Sequence, residues 1–232
     1  MSKKAIIFAT IALVLIIDQW SKIWIKTNME YGAGFDILGF SWARIQFVEN
    51  EGMAFGLSYG GVNGKYVLSI FRIIMAGFLS YILYSLWKSG ENKSLLFSFS
   101  LIVAGAVGNI IDCIFYGMVF SESHYHGGLA QVVSFGTGYA PLLQGKVVDM
   151  LYFPMVDTIL PSWLPIWGGE RFEFFRPVFN VADSAITTGV ASIILFNRSF
   201  FTSDSKKNKA EEPTTETTAT PKDSDPDTAV QE

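Results

Sequence analysis

Cysteine is almost missing from this sequence. Cys113 is the one thiol in 232 residues, which excludes an internal disulfide framework and any cysteine-based metal cluster. Histidine is nearly as scarce. His124 and His126 form an H-x-H pair in a Gly-rich stretch with no evident third ligand, and read as exposed loop residues rather than a metal site. Charged residues make up only 16% of the chain, against roughly a quarter in soluble domains. There is no GxSxG, no Ser–His–Asp set, no HExxH and no phosphate loop, so the common serine-hydrolase, zinc-protease and nucleotide-hydrolase chemistries lack their residues. No internal repeat is evident, and nothing points to a nucleic-acid partner.

What is present is hydrophobic: 50% of residues are apolar, 15% aromatic, and mean hydropathy is +0.34. The net charge of −4 belongs to the end of the chain. Residues 203–232 hold four Lys and eight Asp or Glu, which leaves thirteen of each sign in the neutral body at 1–202. This Thr/Pro/Glu/Asp-rich tail cannot bury enough apolar surface to offset the entropy of ordering, and is expected to be disordered.

Four segments approach the ~20 residues a helix needs to cross a bilayer: about 5–25, 66–87, 94–118 and 179–201. Lys3 and Lys4 ahead of the first mimic a signal peptide, but no small-x-small cleavage site follows, and DQWSKIWIK continues the helical period. Lys/Arg residues gather before the first span, between the second and third, and after the fourth. The positive-inside rule then puts both termini in the cytoplasm and the long connections, about 26–65 and 119–178, outside. Within them Ser41–Asn50 partly alternates, as a strand with one buried face does. The stretch 118–146 is Gly/Ser/His-rich and reads as an insertion or flap, and 160–176, with its Trp and Pro, suits the aromatic belt of a membrane interface. The expected fold is mainly α: a four-transmembrane-helix bundle with a small β-sheet element on the outer membrane face.

Polar groups in such spans need a reason. Asp18 and Lys22 lie four apart on one helical face and can pair. Ala104 and Gly108 have small-xxx-small spacing for close helix contact. Asn109 and Asp112 are three apart, as are Asn180 and Asp183, while Asp149 interrupts the apolar GKVVDMLYF. By topology Asp18, Asp112, Asp149 and Asp183 converge at the outer end of the spans. Two carboxylates at close range cannot both ionise cheaply, so one keeps a proton while the other stays basic. That suits peptide hydrolysis, although the residues alone do not say which two react. A proton- or ion-coupled small transporter is the alternative, but it predicts polar residues spread through the membrane depth and paired repeats.

At DQWSK, NEGMAFG, AGAVGNIID, GKVVDM and FNVADSA, in that order from about Asp18 to Gly189, the chain resembles lipoprotein signal peptidase, the signal peptidase II family of bacterial inner-membrane aspartic proteases. The resemblance implies removal of the signal peptide from diacylglyceryl-modified prolipoproteins just before the lipidated cysteine, by a monomer among membrane lipids, without metal or other cofactor. It places catalysis on Asp149 and Asp183, and supporting or substrate-binding roles on Asp18, Lys22, Asn50, Gly52, Gly108, Asn109, Asp112, Asn180 and Ala182. The sequence departs from the family in two places. Cys113 stands where the family commonly has Arg, with Arg171 or Arg176 as candidate replacements, and Gly117 and Gly145 bracket an unusually long segment.

Overall fold

A computed structural model describes residues 1–51, 61–125, 127–154, 156–174, 177–198 and 200. Gly52, His126, Arg176 and the tail at 203–232 lie outside them. The architecture below is that of the unit Met1–Asn197.

Helix α1 spans Lys3–Asn28, opened by Ser2, whose hydroxyl accepts the Ala5 N–H at 3.1 Å. After the strands described below, α2 runs Gly61–Lys88. Asn92 then caps α3, Lys93–Ile111, by accepting the Leu95 N–H at 2.8 Å. The helix continues through a π-helical turn, Asp112–Tyr116, into the short α4, Gly117–Val119. Among the described residues, three stretches are long and apolar enough to cross a membrane: Lys3–Asn28, Asn63–Lys88 and Lys93–Val119. Helix α5 covers Val181–Phe196, within the expected 179–201, of which residues 199 and 201 lie outside those described. Its start is fixed by a capping box between Asn180 and Asp183, and Asn197 is its C-cap.

Helix α3 packs against α1, α2 and α5. Glycine permits the close approach to α5: a Cβ on Gly105 would lie 2.2 Å from the Ala182 carbonyl oxygen, and one on Gly189 2.7 Å from that of Ser98. The small residues expected here were Ala104 and Gly108. The structure adds Gly105, whose missing side chain lets the start of α5 lie against α3.

The four-stranded sheet has order β1-β2-β3-β6, antiparallel throughout: Gly34–Ile37, Phe40–Asn50, Val147–Tyr152 and Val178–Phe179. The strand expected at Ser41–Asn50 is therefore present. A bulge between Ile45 and Val48 separates two stretches of β2–β3 pairing, and beyond it Val48, Glu49 and Asn50 face Asp149, Val148 and Val147. Phe47, Val148 and Met150 pack with Ile25 of α1, with Met29 just past its end, and with Tyr116 and Phe120. Between β3 and β6 the chain forms a hairpin, β4 (Val156–Ile159) and β5 (Arg171–Phe174), whose tip exposes Trp163 at 78% and Trp167 at 60%.

The segment read as an insertion or flap is held by hydrogen bonds along its length and at its far end. Phe120 bridges Val132, Ser121 N–H donates to the Gln131 carbonyl at 2.9 Å, and Tyr139 N–H donates to that of Phe120 at 3.0 Å. Its far end rejoins the π-helical turn, where Gly145 N–H donates to the Cys113 carbonyl at 2.8 Å. A Cβ at Gly145 would lie 2.0 Å from the Asp112 carbonyl oxygen, so glycine there lets β3 start directly beside α3.

Candidate active site

The site grows from one buried lysine. Lys22 Nζ lies 2.9 Å from Asp18 Oδ2 and 2.8 Å from Asp112 Oδ2, and donates to Asn109 Oδ1 at 2.8 Å. An ammonium has three N–H groups and no acceptor, so these contacts match its full donor set. Lys22, Asp18 and Asp112 are each fully buried, where breaking one partner would strand the others. Asp18 also reaches α5, accepting the Ala182 N–H at 2.9 Å. Gly108 makes room, since a Cβ there would sit 2.7 Å from Asp18 Oδ2 and 3.2 Å from Ala182 Cβ. The expected Asp18–Lys22 pair is thus present within α1, and through Asn109, Asp112 and Ala182 it also joins α1 to α3 and α5.

Asn109 and Asn180 carry this frame to the other carboxylates. Asn109 Nδ2 donates to Asp183 Oδ1 at 2.8 Å; Asn180 Nδ2 donates to Asn109 Oδ1 at 3.0 Å and to Asp149 Oδ1 at 2.8 Å. An unbroken chain of amides therefore runs from Asp183 through Asn109 and Asn180 to Asp149. Asp183 is held twice more by the capping box: its backbone N–H donates to Asn180 Oδ1 at 2.9 Å, and its Oδ2 accepts the Asn180 N–H at 3.3 Å. Asp112 supports β3 in turn, its Oδ2 accepting the Val148 N–H at 3.4 Å.

Asp149 is 4% exposed. Burial, and then the negative charge of Asp183, push its carboxyl up to about 7, against hydrogen bonds from Asn50 and Asn180 and the charge of Lys22. Its surroundings thus let it hold a proton near neutral pH, as the general acid of a carboxylate pair must.

Of the residues singled out from sequence, Asp18, Lys22, Asn50, Gly108, Asn109, Asp112, Asp149, Asn180, Ala182 and Asp183 meet in this one region; Gly52 lies outside the described residues. Sequence reasoning missed Gln19, whose Nε2 donates to Asp112 Oδ1 at 2.9 Å, Asp18 Oδ2 at 3.1 Å and the Gly108 carbonyl at 3.1 Å. An amide inside an apolar span, next to Asp18, was its signal. Also missed was Arg72 of α2, whose Nη1 donates to Cys113 Sγ at 3.1 Å. The cation in contact with position 113 thus comes from α2; the side chains of Arg171 and Arg176 are not among those described.

Comparison with known proteins gives one answer. The family model for signal peptidase (SPase) II matches residues 10–200. A lipoprotein signal peptidase of Porphyromonas gingivalis is 48% identical over 191 residues, covering 82% of this chain and 81% of that protein. One from Amoebophilus asiaticus is 36% identical over 218 residues, covering 92% and 87%. Among solved structures, a bacterial membrane enzyme determined by the in meso method at 1.9 Å resolution aligns with TM-score 0.52 and 25% identity over 82% of this chain and 90% of its own.

Proposed function

This chain belongs to the signal peptidase II family, membrane proteases that remove signal peptides from prolipoproteins, and we propose that it does so as an aspartic endopeptidase with Asp149 and Asp183 as its reacting pair. The observation that carries this reading is the amide chain from Asp183 through Asn109 and Asn180 to Asp149. It links two carboxylates from different elements, a strand and a helix start, through two shared amides.

In the mechanism we infer, Asp149 begins protonated and Asp183 ionised. Asp183 takes a proton from a water held between the two, and that water attacks the scissile carbonyl carbon. Asp149 meanwhile donates its hydrogen bond, then its proton, to the carbonyl oxygen. When the tetrahedral intermediate collapses, one of its two hydroxyls returns a proton to Asp149 as the product C=O re-forms, Asp183 gives its proton to the leaving amine, and the C–N bond breaks. Asn109 and Asn180 contribute orientation, and Lys22 balances the negative charge behind them. The bond cut is the one just before the lipidated cysteine of a diacylglyceryl-modified precursor, with the site near the outer face of the bacterial inner membrane, both termini cytoplasmic and the enzyme a monomer.

The test is cleavage of a diacylglyceryl-modified precursor by purified full-length protein in lipid. Asp149→Asn and Asp183→Asn are each expected to lower the rate at least about 1,000-fold, a loss of about 4 kcal/mol in transition-state stabilisation, while the protein stays folded in the membrane. Substantial activity in either variant would remove the pair from this role.

A further inference from the structure

A second buried polar cluster lies one residue from the site. Glu49 of β2 is 3% exposed at its side chain and receives the ammonium of Lys26, itself fully buried on α1. Ser123, from the segment between α4 and β3, closes a ring: Lys26 Nζ donates to its hydroxyl at 2.9 Å, and that hydroxyl donates to Glu49 Oε1 at 3.0 Å. The same segment walls Lys26 with the rings of Phe120 and Tyr139, at 5.6 and 5.0 Å. Lys146 lies 3.9 Å from Glu49 and 3.6 Å from Glu122. Its backbone N–H, immediately ahead of β3, donates to the Tyr139 hydroxyl at 2.6 Å.

Glu49 sits between Val48, which faces Asp149 across the ladder, and Asn50, whose side chain bonds Asp149. The bulge between Ile45 and Val48 uncouples this end of β2 from the pairing before it, so the earlier ladder does not set its register. We propose that Glu49, held by Lys26 and Ser123, is a positioning residue for Asp149, and that the long segment 117–146 serves the reaction by completing this hold. It fixes both strands at the end where Asn50 meets Asp149, β2 through the Glu49 carboxylate and β3 through the Lys146 N–H.

This inference rests on Asp149 and Asp183 being the reacting pair, and it can be tested separately. Asp149 is faced by Asp183 from α5, by Lys22 from α1, and by Asn50 and Asn180. Glu49 is faced by Lys26 from α1, Lys146 ahead of β3 and Ser123, with Glu122 and Tyr139 around the two lysines. Asn50 favours the charged form of Asp149, so slackening β2 lets Asp149 keep its proton to higher pH. Ser123→Ala removes one link without changing charge. Glu49→Gln removes a negative charge, which by Coulomb interaction alone would shift Asp149 the other way.

Full-length enzyme in lipid vesicles is assayed across pH with a diacylglyceryl-modified precursor. Ser123→Ala is expected to lower kcat about 3-fold and Glu49→Gln about 10-fold, with KM little changed and the alkaline limb of the rate profile moved upward in both. An unmoved or downward limb in Ser123→Ala, whether or not kcat falls, overturns the inference. If Glu49→Gln fails to accumulate, Ser123→Ala decides alone. Asp149→Asn and Asp183→Asn run alongside: their activity would overturn the pair itself, whereas their inactivity with an unmoved Ser123→Ala limb overturns only the positioning role.

Discussion

Asp149 is where sequence and surroundings disagree most. An aspartate on a strand between Val148 and Met150 is a costly residue, buried at 4% exposure, and the amides of Asn50 and Asn180 reduce that cost only in part. Because burial and Asp183 raise its carboxyl to about 7, the proton we propose as the general acid is lost as pH climbs through that value. Activity is therefore expected to decline on the alkaline side from about pH 7, with the measured midpoint belonging to the coupled pair. A rate profile flat to pH 9 would contradict an acid role for Asp149. At this scale the polar positions were legible because charge in an apolar run is conspicuous, while the roles proposed for them come from five motif blocks that resemble a known family. Lys26 and Glu49 were not. Lys26 falls one residue beyond the expected end of the first span and was given no role, while the helix continues to Asn28 and Lys26 is fully buried on it. Ser123 was illegible, since its partners are distant in sequence.

Among the elements, α3 and α5 form the seam on which the site depends. Gly105 and Gly108 set their separation, and Ala182 opposes both. A side chain at Gly105 has a backbone oxygen at 2.2 Å, which cannot rotate away. Gly105→Val is thus expected to cost about 1–3 kcal/mol of stability, the usual toll of overpacking. It should also reduce cleavage at least 10-fold, because Asn109 and Asp183 ride on the two separated helices. Thermal unfolding in detergent together with the cleavage rate checks this; wild-type values in both would mean the seam tolerates spreading. The helices themselves were readable, since length and hydropathy are local properties. The start of α5 was read two residues early because Val178 and Phe179 are apolar, yet they pair with β3, and the capping box of Asn180 sets the boundary.

For the whole molecule, a neutral body precedes an acidic tail. The family match ends at residue 200, and every residue of the site precedes Phe196. Deleting 203–232 is accordingly expected to leave kcat/KM within about 2-fold of the full chain, an energy difference of about 0.4 kcal/mol; a larger loss would give the tail a part in catalysis. The segment 118–146 was the least legible region. Its Gly and Ser content suggests a loose loop, whereas its order comes from Lys26, Glu49 and the π-helical turn, contacts that composition does not encode.

The hydrogen bond from Ala182 N–H to Asp18 also has a meaning in time. It joins α1 to α5 across a separation of 164 residues, and the amide chain to Asp183 closes only with α5 in place. A chain made only as far as β6 lacks Asn180, Ala182 and Asp183, so the frame that holds Asp149 and Asp18 is completed late in synthesis, by the final stretch of the unit Met1–Asn197.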